Sequence, residues 1–451
     1  MMNNQSKYNN YRKYFSSLVY ESYTYDVQSD GLHIAFCFRL TDQRAFRPTA
    51  FIPARPFLKM DQPKEVMDRL VFNIGMVELV SYWKTVCPPV VKVACGTLTE
   101  EQQSFWRKLY WNGLGEFFYT NGIKATEEDF LRFEVDASPS SPLPGLSLMD
   151  SGTLATLVPV GGGKDSVVTL EALKPLGIRP LIMNPRGATI ECAKQAGFGR
   201  EDFIEIRRNL CPLMLEFNAK GCLNGHTPFS AMLAFYTLLA AQLSGIPNIA
   251  LSNEDSANES TVADSYVNHQ YSKSLEFEND FRAYVARYLG GGYNYFSFLR
   301  PISELQIAML FARNSQYFDV FRSCNVGSKQ DIWCGHCAKC LFAYIILSPF
   351  IEPERLNAIF GKCMLDDITL RLEFEQLTGH AETKPFECVG TISEVNSALS
   401  MAIAKWYPQQ RPALLKSYDV QPPTTPLHTL SGQHNLGPAY LDILTSLIIN
   451  K

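Results

Sequence analysis

From Thr153 to Asn253 the sequence alternates short apolar runs with longer amphipathic ones, and this restricts the fold more than any other feature. "TLATLVPV", "RPLIMN", "DFIEIRR" and "PNIALSN" have the length and near-continuous apolar character of buried strands. "SVVTLEALKPL", "ATIECAKQAG" and "FSAMLAFYTLLAAQL" have the length and spacing of helices. Such alternation predicts an α/β fold: a doubly wound parallel sheet covered on both faces. Ligands of such sheets sit at the carboxyl ends of the strands.

At 451 residues the chain is long enough for two or three domains with full cores. The Ser- and Pro-rich "DASPSSPLPGLSLMD", Asp136 to Asp150, reads as a connection between domains. We therefore expect an N-terminal α+β domain at 1–148, the alternating domain at 149–400 and a C-terminal tail at 401–451. In the first of these, "LVYESYTYDVQSDGLHIAFCFRL" reads as a hairpin, and "PKEVMDRLVFNIGMVELVSYWKTV" and "FWRKLYWNGLGEFFY" as helices. The aromatic stripe in the last suits a core.

The start, "MMNNQSKYNNYRKYF", lacks the apolar stretch of a secretory leader. The long uncharged run Ser230 to Asn253 is interrupted by Gln242, Ser244, Gly245, Pro247 and Asn248, so it reads as helix, turn and strand rather than a membrane span. A cytoplasmic protein is expected. The formal charge of −4 gives no overall basic surface for nucleic acid.

"VPVGGGKDSV", Val158 to Val167, lies where the first strand of the alternation runs into a helix. Gly161, Gly162 and Gly163 let the backbone turn sharply and approach a ligand. Unpaired N–H groups at the helix start favour an anion there. Ser166 offers a hydroxyl and Lys164 a charge, whereas Asp165 suits a phosphate only if it holds Mg²⁺ or orients the loop. The same residues would also serve a capped glycine-rich turn.

"FRSCNVGSKQDIWCGHCAKCLF" carries Cys324, Cys334, Cys337 and Cys340 at C-x9-C-x2-C-x2-C spacing. Four thiolates so spaced can close a structural zinc site, with a CxxC redox pair as the rival. His336 is a further candidate ligand. The other eight of the twelve cysteines are scattered and expected to be reduced. Polar clusters lie between these motifs. "NGHTPFS" holds His226, "LSNEDSANES" holds Asn253 and Glu254 at a strand end, and "VNHQYSKSLEFE" holds His269 and Lys273.

The glycine loop resembles the SGGxDS pyrophosphate loop of the ATP pyrophosphatase (PP-loop) superfamily, with Gly161 in place of its first Ser. "VPVGGGKDS", "NGHTPFSA", "LSNEDSA", "VNHQYSKSLEFE", "FLRPISELQIA", "SCN…WCGHCAKC" and "KPFECVG" together, in that order, resemble the UDP-N-acetylmuramoyl-L-alanyl-L-glutamate epimerase family (MurL). The matching segments span roughly Thr156 to Val395. The resemblance implies a PP-loop fold at 149–400 and an ATP- and Mg²⁺-dependent epimerase of peptidoglycan precursor synthesis. Its small-molecule substrate is the UDP-linked muramoyl dipeptide, whose terminal L-Glu becomes D-Glu, with no role for nucleic acid or membrane.

Adenylating the α-carboxylate acidifies the adjacent Cα–H, after which a base removes the proton and an acid returns it to the other face. On this reading Gly161, Gly162, Gly163, Lys164, Asp165, Ser166 and Asn253 serve ATP, and Asp165 and Glu254 hold Mg²⁺. His226, His269 and Lys273 are the proton-transfer candidates, and the four cysteines hold zinc. An adenylating enzyme of deazapurine or tRNA modification is the alternative, and a non-catalytic nucleotide- or zinc-binding regulator a third reading.

Overall fold

The computed structural model describes residues 3–135, 153–262 and 265–449. The connection expected at Asp136–Asp150 lies outside the described residues. Among those described, the strands are β1 (Ser17–Gln28), β2 (Gly31–Leu40), β3 (Ala45–Phe46), β4 (Thr49–Pro53), β5 (Val90–Val93), β6 (Arg132–Val135), β7 (Thr156–Pro159), β8 (Ile178–Met183), β9 (Ile204–Asn209), β10 (Asn248–Leu251) and β11 (Asn294–Ser297). Contacts divide the chain into two compact units. One comprises Met1–Thr153, Ile204–Ile249 and Tyr266–Asn294; the other comprises Leu154–Phe203, Ala250–Ser265 and Tyr295–Lys451.

In the first unit the strands lie in the order β9-β4-β2-β1-β5-β6, with β3 beside β2. The expected hairpin is β1 and β2, with Gln28 opposite Gly31 across a two-residue turn. Gly31 (φ +148°) is required there, because a Cβ would fall 2.2 Å from the Ile52 carbonyl oxygen on β4. β4 is antiparallel to β2, while β5 and β6 add in parallel beyond β1.

"DFIEIRR" forms a strand, β9, as expected, and its pairing with β4 is antiparallel, so the sheet is not purely parallel. Its apolar pattern reports burial, and burial does not specify a strand's partner or direction. The helix Lys64–Trp83 is buried from Leu70 through Trp83, and Phe229–Ser244 is buried along most of its length. The two pack together, as helices apolar on most faces must. Between them Glu78 is fully buried. Its Oε1 lies 2.5 Å from Arg208 Nε and accepts the Tyr236 hydroxyl at 3.1 Å.

In the second unit the order is β11-β10-β7-β8. β7 and β8 are parallel, Thr156 opposite Ile178, and are joined through the helix Lys164–Leu173. Every residue of β7 and β10 is buried, so both faces are covered as the alternation predicts. The chain is thus an α/β protein. The stretch at 401–451, read from sequence as a tail, supplies core residues of this unit. The helix Pro438–Ile449 packs on Lys164–Leu173, buries Leu444 and Ile448, and places the Tyr440 hydroxyl 2.7 Å from Thr156 Oγ1. Ser230 to Asn253 divides into helix, a turn at Gly245 and β10, and no described helix is long and apolar enough to cross a membrane.

Removing one partner of the Glu78–Arg208 pair strands a buried charge. Glu78→Ala is expected to lower the unfolding free energy by about 3–5 kcal/mol, read from urea denaturation.

Candidate functional site

Among the described residues, three sets of His, Cys, Asp or Glu side chains bring ligand atoms within 4.8 Å of one another. Two lie in the second unit and one in the first.

The glycine loop joins β7 to the helix Lys164–Leu173, whose N-cap is Gly163, with no side chain capping it. The first-turn N–H groups are therefore left to a ligand or solvent. Gly162 adopts φ +81°, and a Cβ there would sit 2.9 Å from backbone atoms of Ala188 and Thr189. Gly161 has nothing within 4 Å of a would-be Cβ, so a side chain would have room there. The Ser166 hydroxyl donates to the Gly163 carbonyl at 2.9 Å and so steadies the turn.

Lys164 turns its ammonium into the interior, where it pairs with Asp165 and with Glu304 from the helix Glu304–Ala312. Glu254 completes a three-carboxylate set with these two. Burial pushes the Glu304 carboxyl up to about 8; Lys164 opposes this, while Asp165 and Glu254 add to it. Burial works against the Lys164 charge, but Asp165 and Glu304 together outweigh it and hold the ammonium above its ordinary value. Three convergent carboxyl groups offer hard oxygen donors, and these suit a divalent ion of the Mg²⁺ type, whose charge would favour the ionised form of Glu304. Asn253 donates to Ser297 Oγ at 3.0 Å, and the fully buried Arg300 donates to the Glu254 carbonyl, so the end of β10 is tied down. Glu304 escaped the sequence reading because "SELQ" is a capping box, and Ser303 and Gln306 do form one.

The second set in this unit is the four cysteines. Cys324 and Cys337 sulfurs lie 3.9 Å apart, and those of Cys334 and Cys340 3.7 Å apart. Tetrahedral thiolates at about 2.3 Å from zinc stand roughly 3.8 Å apart. The hydrogen bond from Cys340, against burial, pulls the Cys337 thiol down to about 5. Cys337 stands at the N-cap position of the helix Ala338–Leu347, whose positive end favours a thiolate. His336 is exposed, with Nδ1 at 2.8 Å from the Cys334 carbonyl oxygen, outside the set. The residues leading into Cys324 meet the glycine loop: the Arg322 N–H donates to the Gly162 carbonyl at 2.8 Å, and Ser323 Cβ lies 3.3 Å from a would-be Cβ on Gly163. "KPFECVG" is held by Lys384 to Glu259 and by Glu387 to Asn325.

The set in the first unit is Glu116, His226 and His269. Glu116 lies in the first turn of Gly115–Thr120, where the aromatic segment breaks after Leu114 into a second helix. One oxygen, Oε2, takes both rings: His269 Nδ1 in a short hydrogen bond and His226 Nδ1 at 3.3 Å. The ring centroids are 4.5 Å apart. Lys84 pins the His226 loop by donating to the Gly225 carbonyl and, at 2.6 Å, to Thr227 Oγ1. Burial, then Arg208, lowers Lys84 to about 8.

Burial, then His269, Lys84 and Lys273, lowers His226 from 6.5 to about 3. Lys273 Nζ stands 3.5 Å from Gln270 Oε1 on the adjacent turn. The donor types would suit a metal, but the two ammonium groups that repel charge on His226 oppose a dication as well. Acid–base chemistry fits better. The sequence reading found both histidines and Lys273 but not Glu116, hidden in the aromatic run, nor Lys84, at the end of a core helix.

Comparison with known proteins agrees with the ordered motifs. Residues 9–298 match the MurL N-terminal domain and residues 320–428 the MurL C-terminal domain. Relatives named UDP-N-acetyl-alpha-D-muramoyl-L-alanyl-L-glutamate epimerase occur in Xanthomonas oryzae pv. oryzae, 33% identical over 87% of this chain and 89% of that protein, and in Micromonospora sp., 33% identical over the same shares. A third, from Salinispora tropica, is 32% identical over 85% of this chain and 84% of its own length. No solved structure matches.

Between pH about 6.5 and about 3 the unfolded chain binds a proton at His226 that the folded protein does not. Stability from this residue is therefore intact above that window and falls as the pH drops through it. His226→Asn is expected to gain stability relative to the parent protein as the pH falls from 6.5 to 4, read as urea midpoints of both proteins across that range.

Proposed function

The chain belongs to the MurL family, and on that premise we propose that it converts the terminal L-Glu of UDP-N-acetylmuramoyl-L-alanyl-L-glutamate to D-Glu in the cytoplasm, at the expense of ATP. The names of three relatives that share most of its length support the substrate and the reaction. The observation that carries the ATP reading is the juxtaposition of an uncapped helix start, a glycine turn closed to side chains at Gly162 and three convergent carboxylates. We read this as the pyrophosphate loop of a PP-loop ATP pyrophosphatase.

The loop backbone at Gly161, Gly162 and Gly163 and the first-turn N–H groups receive the phosphates. Asp165, Glu254 and Glu304 hold Mg²⁺, which screens phosphate charge when bound. Lys164 keeps the carboxylates together and limits their repulsion. Asn253 and Ser166 hold the strand end and the turn in place. The substrate's α-carboxylate attacks the α-phosphate and pyrophosphate leaves, giving an acyl adenylate whose Cα–H is far more acidic than that of a carboxylate. His226 and His269, with Lys273 near, exchange the proton at Cα. Water then cleaves the anhydride to free product and AMP. The four cysteines hold a structural zinc ion.

Incubation with ATP, Mg²⁺ and the UDP-linked dipeptide is expected to release pyrophosphate and yield D-Glu on hydrolysis, while free L-Glu yields neither. Equal activity on free L-Glu, or D-Glu formed without pyrophosphate release, would refute this reading. The purified protein is also expected to carry about one zinc per chain by elemental analysis, as a closed four-sulfur site requires. Cys334→Ser combined with Cys337→Ser should lose it.

A further inference from the structure

We propose that the cysteine segment supplies, in Lys339 and Arg322, the cations that hold the phosphates of ATP and the departing pyrophosphate; this rests on the nucleotide reading of the glycine loop above. Polyphosphate binding asks for positive charge with hydrogens to donate, beyond a helix start and one divalent ion. Lys164 does not supply it, because its ammonium is taken by Asp165 and Glu304.

Lys339 stands between Cys337 and Cys340, in the first turn of the helix Ala338–Leu347. It is only 8% exposed, yet among the described residues its ammonium has no carboxylate at ion-pair distance and no oxygen or sulfur that accepts from it. It lies instead over the Phe342 ring, 5.5 Å from the centroid, and Lys164 stands 5.9 Å from the same centroid. Phe342 and Glu304 both border the space that a side chain on Gly390 of "KPFECVG" would fill, since a Cβ there would meet them at 3.1 and 3.2 Å. Lys339 therefore reaches the carboxylate set without being paired to it. Burial disfavours the ionised Glu304 carboxyl, and Lys339 joins Lys164 in favouring it. A buried ammonium with only a ring face to answer it calls for an anion.

Arg322 comes to the loop from the other end of the segment, two residues before Cys324. Its N–H donates to the Gly162 carbonyl at 2.8 Å, and its carbonyl oxygen lies 3.9 Å from a would-be Cβ on Gly163, so the residue runs along the glycine turn. The guanidinium donates through Nη1 to the Phe321 carbonyl at 2.6 Å. Nε is buried with no acceptor, and among the described residues no carboxylate pairs with this side chain. Burial pushes the Cys192 thiol up to about 12 against the Arg322 charge, and that thiol donates to the Gly162 carbonyl at 3.6 Å, so the charge is felt at the loop.

When the substrate carboxylate attacks, an O–P bond forms at the α-phosphate, the bond to the bridging oxygen breaks, and its electron pair stays on pyrophosphate. Lys339 and Arg322 receive that charge, Arg322 through a fork of N–H groups and Lys339 as a compact ammonium. Both flank cysteines of the cluster, so closing the four sulfurs on an ion also sets the positions of the phosphate-binding residues.

The test is Lys339→Met and Arg322→Gln, which remove charge and keep most of the side chain, with Mg²⁺ and inorganic pyrophosphate as the probe in titration calorimetry. Each variant is expected to bind pyrophosphate roughly 10–100-fold more weakly than the parent protein, the scale of a lost charged hydrogen bond. Lys339→Arg should restore part of the affinity. Zinc content should stay at the parental level, and the urea midpoint of Lys339→Met should not fall, since an unpaired buried charge has been removed. Parental affinity for pyrophosphate in both variants would overturn the proposal. So would loss of zinc together with pyrophosphate binding, which marks cations that only offset the thiolate charge. A parent protein that binds neither ATP nor pyrophosphate would overturn the nucleotide reading itself.

Discussion

A buried ammonium organises the second unit. Lys164 stands on the first turn of a helix with almost no exposure, and its charge is tolerable there only because Asp165 and Glu304 answer it. Glu304 comes from 140 residues further along the chain. The pairing therefore holds the start of one helix to the start of another and gathers the carboxylates at the glycine loop. Glu304 is itself fixed from behind, its N–H donating to Glu394 Oε1 at 2.8 Å. Without the lysine, three carboxylates this close would repel or take up protons.

The first unit meets the same demand with the signs reversed. Cationic groups gather round His226, and Glu116 is the anion that two rings share. Lys84 is tied by its donor hydrogens to the loop that carries His226, so the charge that depresses the imidazole also positions it. The cysteine cluster works differently. It lies at the far end of a short segment whose Arg322 and Ser323 meet the glycine loop, so an ion closing the four sulfurs would stiffen the wall of that loop.

Much of this was legible in the sequence where a local rule applies. A hairpin turn, a glycine turn before a helix and the length of an apolar run are short-range features, and the turns, strands and helices read from them exist; the two-residue cysteine gaps likewise bring the four sulfurs together. Glu116 and Glu304 were not legible. Each sits at a helix start, where an acidic residue is ordinary, and becomes unusual only through partners more than a hundred residues away. The partner of β9 was hidden for the same reason, since its apolar residues satisfy either direction of pairing. The role of the last fifty residues was concealed by composition. A stretch rich in Pro, Thr and Ser reads as a tail, although Tyr440, Leu444 and Ile448 beyond it enter the core.

The compact units do not follow the linear order. The chain leaves the first unit after Thr153, returns at Ile204, departs again at Ala250, and enters once more from Tyr266 to Asn294. This bears on biosynthesis. As the polypeptide emerges from the ribosome, the first 153 residues have made β4 but not the β9 strand that pairs with it, nor the helix that packs on Lys64–Trp83. Domains synthesised one after another can fold in turn, but here the sheet edge and helix face of the N-terminal unit stay uncovered until Ser244, past the middle of the chain, and the unit lacks its last segment until Asn294. Because neither unit is one continuous stretch of chain, cutting the chain at a single point yields neither of them whole.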